Sequence, residues 1–117
     1  DKTMDFVLLK ENDTLAASRF DIQAPVNTSD PIAPDQLDLI IAPLVAFDAT
    51  GNRLGRGGGY YDQFMQRHNR LVEHSPLEKQ ARFVGLAYDF QQTNSLTSAE
   101  WDIRLDAVVT DEQYLAF

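Results

Sequence analysis

Cysteine is absent from the 117 residues, so neither a disulfide nor a thiolate metal site can be built. Long apolar runs are missing as well: none approaches the roughly 20 residues of a membrane-crossing helix, and no signal-peptide pattern opens the chain. Lysine does not occur between Lys10 and Lys79. Histidine is limited to His68 and His74, and no nucleophile, base and orienting group fall into a pattern for covalent catalysis. Positive charge is scarce: ten Lys and Arg stand against 18 Asp and Glu, and the formal net charge of −8 disfavours nonspecific attraction to nucleic acid or anionic membrane. These exclusions leave a soluble cytoplasmic protein as the expectation, with neither nucleic acid nor membrane as partner. The content of 44% hydrophobic and 24% charged residues is ordinary for one compact domain, read here as residues 1–117. Because Asp1 rather than methionine comes first and a strand-like segment follows at once, we expect a piece of a longer protein.

What the chain does contain is read from periodicity. Met4-Asp5-Phe6-Val7-Leu8-Leu9 reads as a short strand, with a polar turn over residues 10–14. Residues 20–29, around Pro25 and Asn27, read as a turn wrapping the surface, and Pro31, Pro34 and Asp35 as another. Leu37-Asp38-Leu39-Ile40-Ile41-Ala42 is short, apolar and β-branched, and predicts a buried strand ending at Pro43. Residues 44–47 extend or bend away from it, and residues 48–59 form a loop. The helical spacing of Tyr61, Phe64, Met65 and His68 predicts a helix over residues 60–68, with His68 as a core or helix-end residue. Strands are expected at 82–88 and 107–110. Strand, loop, helix and strand in this order predict an α/β fold with a mostly parallel sheet. Ligands of such sheets lie beyond the carboxyl ends of the strands, where the loop falls.

That loop is the most informative stretch: Gly51-Asn52-Arg53-Leu54-Gly55-Arg56-Gly57-Gly58-Gly59-Tyr60-Tyr61-Asp62. Glycine lets backbone N–H groups turn toward a ligand, and successive N–H groups ahead of a helix N-terminus make an anion-binding concavity. Arg53 and Arg56 add forked donors suited to phosphate or carboxylate. Within residues 51–70 four arginines face Asp62 alone, a basic window in an acidic chain, although Arg67 and Arg70 also fit a solvated helix face. Two commoner motifs are excluded. A dinucleotide fingerprint starting at Gly55 needs glycine where Tyr60 stands, and a P-loop needs a lysine that this region lacks. An RNA-binding RGG tail is repetitive and basic, whereas this segment occurs once between apolar elements. The plain structural alternative is a glycine turn that packs a helix onto a sheet.

A resemblance sharpens the reading. Pro43-Leu44-Val45-Ala46-Phe47-Asp48, Gly51, and Arg53 through Asp62 resemble the signature of the 5-formyltetrahydrofolate cyclo-ligase (5,10-methenyltetrahydrofolate synthetase) family. Val84-Gly85-Leu86-Ala87-Tyr88 with Gln91 or Gln92, then Trp101-Asp102 and Asp106-Ala107-Val108-Val109-Thr110, follow in matching order, so the resemblance runs from about Leu37 to the C-terminus. It implies a three-layer α/β/α sandwich with a mostly parallel sheet, incomplete here at the N-terminus. It also implies ATP- and Mg²⁺-dependent conversion of 5-formyltetrahydrofolate to 5,10-methenyltetrahydrofolate. By position Arg53, Leu54, Gly55, Arg56, Gly57, Gly58, Gly59, Tyr60 and Tyr61 match the family's ATP loop. Arg56, Gly57, Gly58, Gly59 and Tyr60 overlap its folate-contacting part, with Arg56 as the catalytic cation. Asp62 and Asp102 match its Mg²⁺ ligands. Some members carry lysine where Gly58 stands, and the family's N-terminal ATP and folate contacts find no match here. The surface left by that segment is expected to favour self-association. Asp48, as a turn cap, and Asp106, at a strand start, read as structural, since an acid in either place needs no catalytic explanation.

Overall fold

The computed structural model describes residues 4–17, 23–25, 31–76, 79–97 and 102–117. Its centre is a four-stranded sheet in the order β3-β6-β7-β8, made of β3 (Leu39–Ala42), β6 (Arg82–Leu86), β7 (Ala107–Val109) and β8 (Tyr114–Ala116). The pairings β3–β6 and β6–β7 are parallel, while β8 returns antiparallel to β7. Two smaller antiparallel ribbons join β1 (Leu15–Ala17) to β2 (Gln23–Pro25) and β4 (Ala46–Phe47) to β5 (Arg53–Leu54).

One helix, α1 (Tyr60–Val72), follows the glycine loop. Its buried residues Phe64, Met65, His68 and Val72 form a single stripe, as the 3.6-residue period requires. The helix outruns the expected 60–68 because Val72 prolongs that stripe and Pro76 comes only after its end. Phe64 and Met65 pack with Ile40 and Ala42 of β3, Phe83 of β6 and Val108 of β7, joined by Phe47 and Leu105. His68 is fully buried among them. Its Nε2 accepts the Ala81 N–H at 3.0 Å, so the ring proton sits on Nδ1 and is donated to the Pro34 carbonyl at 2.8 Å. His68 therefore cross-links helix, sheet entry and the turn at Pro34–Gln36 instead of facing a ligand.

The opposite face of the sheet is apolar and open. Leu39 and Ile41 of β3, Leu86 of β6, Val109 of β7 and Tyr114 of β8 are all exposed. The apolar run at β3 is thus half-buried by alternation, not buried on both sides. The α/β class is seen, with two parallel pairings and one antiparallel; a helix covering the second face is not among the described residues.

Residues 4–9 do not form the expected strand. Phe6 is held edge-on to Phe64 at 4.8 Å and its carbonyl accepts the Ile32 N–H, while Leu8 and Leu9 stay exposed. The segment is anchored by Met4 and Phe6 against the core and by Arg67 on the Met4 carbonyl and Asp5, not by a ladder. The expected turn over residues 20–29 contains β2, and its other residues lie outside those described, as does Trp101. The strand β8 and the hairpin β4–β5 were not evident in the sequence. No helix among the described residues is long and apolar enough to cross a membrane.

Candidate anion-binding site

The hairpin β4–β5 leads from the carboxyl end of β3 into the glycine loop. Its turn is organised by Asp48, which is 3% exposed. Oδ1 accepts the Thr50 N–H and hydroxyl and the Asn52 N–H at 2.8–3.0 Å. Oδ2 accepts the Asn52 amide at 3.0 Å and the Leu96 N–H at 2.9 Å. Burial pushes the Asp48 carboxyl upward, but the donors from Leu96, Asn52 and Thr50 outweigh it together and hold it far below the ordinary carboxylate range. Asp48 is a structural hub that fixes where Arg53 emerges, in line with its reading as a turn cap. Asp106 is structural in the same sense, its Oδ2 accepting the Phe83 N–H at 2.8 Å.

The two loop arginines differ sharply. The Arg53 side chain is 6% exposed. Its guanidinium lies 5.6 Å from the Tyr61 ring centre and 5.7 Å from that of Phe83, donates to the Pro43 carbonyl at 3.2 Å, and approaches Asp62 Oδ2 at 3.5 Å. Its buried Nε–H finds no partner among the described residues. Gly55 permits this packing, since a Cβ there would sit 2.9 Å from Arg53 Nη1. Arg56 by contrast is exposed and has no hydrogen bond or ion pair to any described residue. Leu54 is exposed beside it.

Gly57 (φ 92°) and Gly59 (φ 71°) hold left-handed conformations that side chains rarely adopt. Gly59 is the N-cap of α1, and having no side chain it leaves the first-turn N–H groups without a side-chain cap. Those donors and the positive end of the helix open at the end of the glycine loop that carries Arg56. Tyr60 covers Gly58, whose added Cβ would come within 2.7 Å of the Tyr60 ring. Tyr61 packs against the core, and burial raises its phenol despite the opposing charge of Arg53. Tyr60 is therefore the tyrosine on the loop side.

Asp62, in the first turn of α1, uses both carboxylate oxygens. Oδ2 faces Arg53, and Oδ1 accepts the Ile103 N–H at 3.1 Å. The second bond brings the backbone next to Asp102 up to the start of the helix. No group of three or more His, Cys, Asp or Glu among the described residues is arranged for a metal. Two carboxylates nonetheless suit Mg²⁺, which keeps several waters and takes phosphate oxygens. The other two arginines of residues 51–70 fall elsewhere: Arg67 stacks over Phe64 at 5.1 Å and binds the Met4 carbonyl and Asp5, and Arg70 is exposed. Clefts of about 350 Å³ and 310 Å³ flank α1, and the glycine loop lines neither.

Between Gln91 and Gln92 the structure distinguishes clearly. Gln91 Oε1 accepts the Tyr88 N–H at 2.7 Å, and its Nε2 donates to the carbonyls of Leu44 and Val45 at 3.0 and 3.1 Å. Gln92 takes part through its backbone, in a bridge to Phe47 and with its N–H donating to the Asp89 carbonyl at 3.1 Å. The three-residue spacing from Tyr88 to Gln91, typical of a short capped turn, was the available signal.

The pattern of the 5-formyltetrahydrofolate cyclo-ligase family matches residues 1–111. The chain is 40% identical over 97 residues to the 5-formyltetrahydrofolate cyclo-ligase of Escherichia coli, covering 82% of this chain and 49% of that one. It is 39% identical over 89 residues to that of Haemophilus influenzae, covering 75% and 43%. It superposes on the solved structure of Aquifex aeolicus 5,10-methenyltetrahydrofolate synthetase with a TM-score of 0.66 at 35% identity, covering 87% of this chain and 46% of that one. For the synthetase of Mycoplasma pneumoniae the TM-score is 0.58 at 34% identity, over 78% and 49%. The chain spans about half the length of the curated relatives it matches.

Proposed function

The chain belongs to the 5-formyltetrahydrofolate cyclo-ligase family, and we propose that it carries the phosphate-binding half of an ATP-dependent cyclisation of 5-formyltetrahydrofolate to 5,10-methenyltetrahydrofolate. The observation that carries this reading is an exposed Arg56, without a partner among the described residues, in the loop that runs into a helix N-terminus whose cap is glycine. Such a surface suits the transferring phosphoryl group. The formyl oxygen attacks the γ-phosphate with loss of ADP. The second folate nitrogen then attacks the activated carbon and gives up its proton to the departing phosphate, which closes the ring. This chemistry depends on positioning and charge neutralisation, and needs no enzymic nucleophile.

In this scheme the loop N–H groups and Arg56 bind the phosphates, Arg53 braces the loop from beneath, and Tyr60 lies where the folate approaches. Asp62 and Asp102 would hold Mg²⁺, which supplies charge neutralisation at the phosphates. The open apolar face of the sheet would take a third layer in the whole protein, giving the α/β/α sandwich. Left bare it promotes association of copies, which light scattering would detect and a monomer at every concentration would contradict.

The test is to mix the chain with ATP, Mg²⁺ and 5-formyltetrahydrofolate and follow the absorbance of the methenyl product. A second reading, nucleotide binding without cyclisation, is favoured by the half-length coverage of the relatives. We expect little or no product from these 117 residues alone, beside measurable nucleotide binding. Turnover comparable to a full-length relative would show that the matched half suffices. Failure to bind nucleotide would remove the phosphate-site reading.

A further inference from the structure

The motif from Val84 to Gln91 is not used by the scheme above, and its structure is unusual. Directly after β6 the chain makes a short 3-10 turn, Asp89–Gln91. Phe90 on this turn is 82% exposed and Tyr88 before it is 60% exposed. The two rings stack on each other with centres 5.4 Å apart and planes 10° apart. Exposed aromatic pairs of this kind cost solvation, and they are presented rigidly here. Gln91 ties the turn to the Leu44 and Val45 carbonyls. The Asp89 N–H donates to Asp111 Oδ1 at 2.8 Å, while Asp89 Oδ1 accepts from Thr110 at 3.1 Å and from Gln113 at 2.6 Å. The turn is thereby bolted to the segments that follow β3 and β7.

Its position gives it a use. It stands at the carboxyl edge of the parallel strands, on the same edge as the glycine loop. Val45, whose carbonyl binds Gln91, donates its own N–H to Leu54 of the loop hairpin at 2.7 Å. One backbone bridge therefore links the aromatic pair to the phosphate-binding loop. The neighbouring carboxylates of Asp89 and Asp111 repel phosphate but accept amino donors.

Building on the family reading, we propose that the Tyr88–Phe90 pair is a stacking platform for the planar, amino-bearing heterocycle of a substrate, adenine or pterin. The outer face of Phe90 takes the ring, and the phosphate-bearing part of the chemistry stays at the loop. Planar rings stack on aromatic side chains whatever their substituents, so the shared chemistry identifies the site and the binding data identify the ring.

The experiment measures, by calorimetry on the full chain, the affinities for ADP with Mg²⁺ and for 5-formyltetrahydrofolate separately. Wild type is compared with Phe90→Ala, Phe90→Trp and, as a control, Tyr114→Ala, which removes another exposed ring on the sheet face. Phe90→Ala is expected to weaken one of the two ligands by about 5- to 100-fold, the range of one aromatic stack. Phe90→Trp should restore it. Loss confined to ADP assigns adenine, and loss confined to the folate assigns the pterin. Unchanged affinities in a folded Phe90→Ala protein, or an equal loss in Tyr114→Ala, would overturn the platform while leaving the family reading standing. Wild type binding neither ligand would overturn the platform together with the phosphate-site reading.

Discussion

Arg53 and Asp62 meet at 3.5 Å beneath the glycine loop, with side chains 6% and 18% exposed. This contact makes the loop's first arginine a brace, while Arg56 has no partner among the described residues. Asp62 extends the brace by accepting the Ile103 N–H, so one carboxylate joins the loop, the start of α1 and the strand approach near Asp102.

Replacing Asp62 by asparagine keeps an acceptor for Ile103 but leaves the buried guanidinium without its counter-charge. We expect a loss of about 1–3 kcal/mol in urea unfolding. If Asp62 and Asp102 also hold Mg²⁺, Asp62→Asn and Asp102→Asn will both weaken nucleotide binding more with Mg²⁺ than without it. Metal dependence identical to wild type in both variants would leave Asp62 a purely structural residue.

Arg56→Ala should leave the melting temperature unchanged, because the side chain is exposed and has no described partner. Nucleotide affinity should fall by about 1.5–3 kcal/mol, the strength of a charge-assisted phosphate contact. Gly57→Val should impair both quantities. Space is not the obstacle, since an added Cβ meets nothing within 4 Å, but the φ of 92° imposes strain on a β-branched residue. Calorimetry showing full affinity in Arg56→Ala would move the phosphate site away from the loop.

The pH dependence of stability should carry the mark of Asp48. Its folded-state carboxyl lies below its unfolded value, so the stabilisation is present above the ordinary aspartate range near pH 4 and is lost as the solution is acidified toward the folded-state value. Asp48→Asn would point an amide at the Leu96 N–H or the Thr50 donors, setting donor against donor. A cost of about 2–3 kcal/mol at neutral pH is expected, with a shallower acid-side decline than wild type. An unchanged acid limb in denaturant titrations would show that other carboxylates control it.

The sequence by itself determined the family, the glycine loop between a strand and a helix, and the apolar stripe of α1, because each is written in local spacing. Asp48, Asp106 and His68 were readable as structural residues for the same reason: a turn, a strand start and an apolar face are local contexts. The strand expected at residues 4–9 failed because strand formation needs a partner, and apolar content alone does not supply one. The short strands β5 and β8 leave no mark in the sequence since two or three residues carry no period, and their pairing is fixed by the hairpin turn and by β7. Only the tertiary structure separated Arg53 from Arg56, Tyr60 from Tyr61, and Gln91 from Gln92. Each pair is chemically alike and nearly adjacent in sequence, so the difference lies in what folding brings alongside: Asp62, Phe83 and the Pro43 carbonyl around Arg53, the core under Tyr61, and the Leu44 and Val45 carbonyls at Gln91.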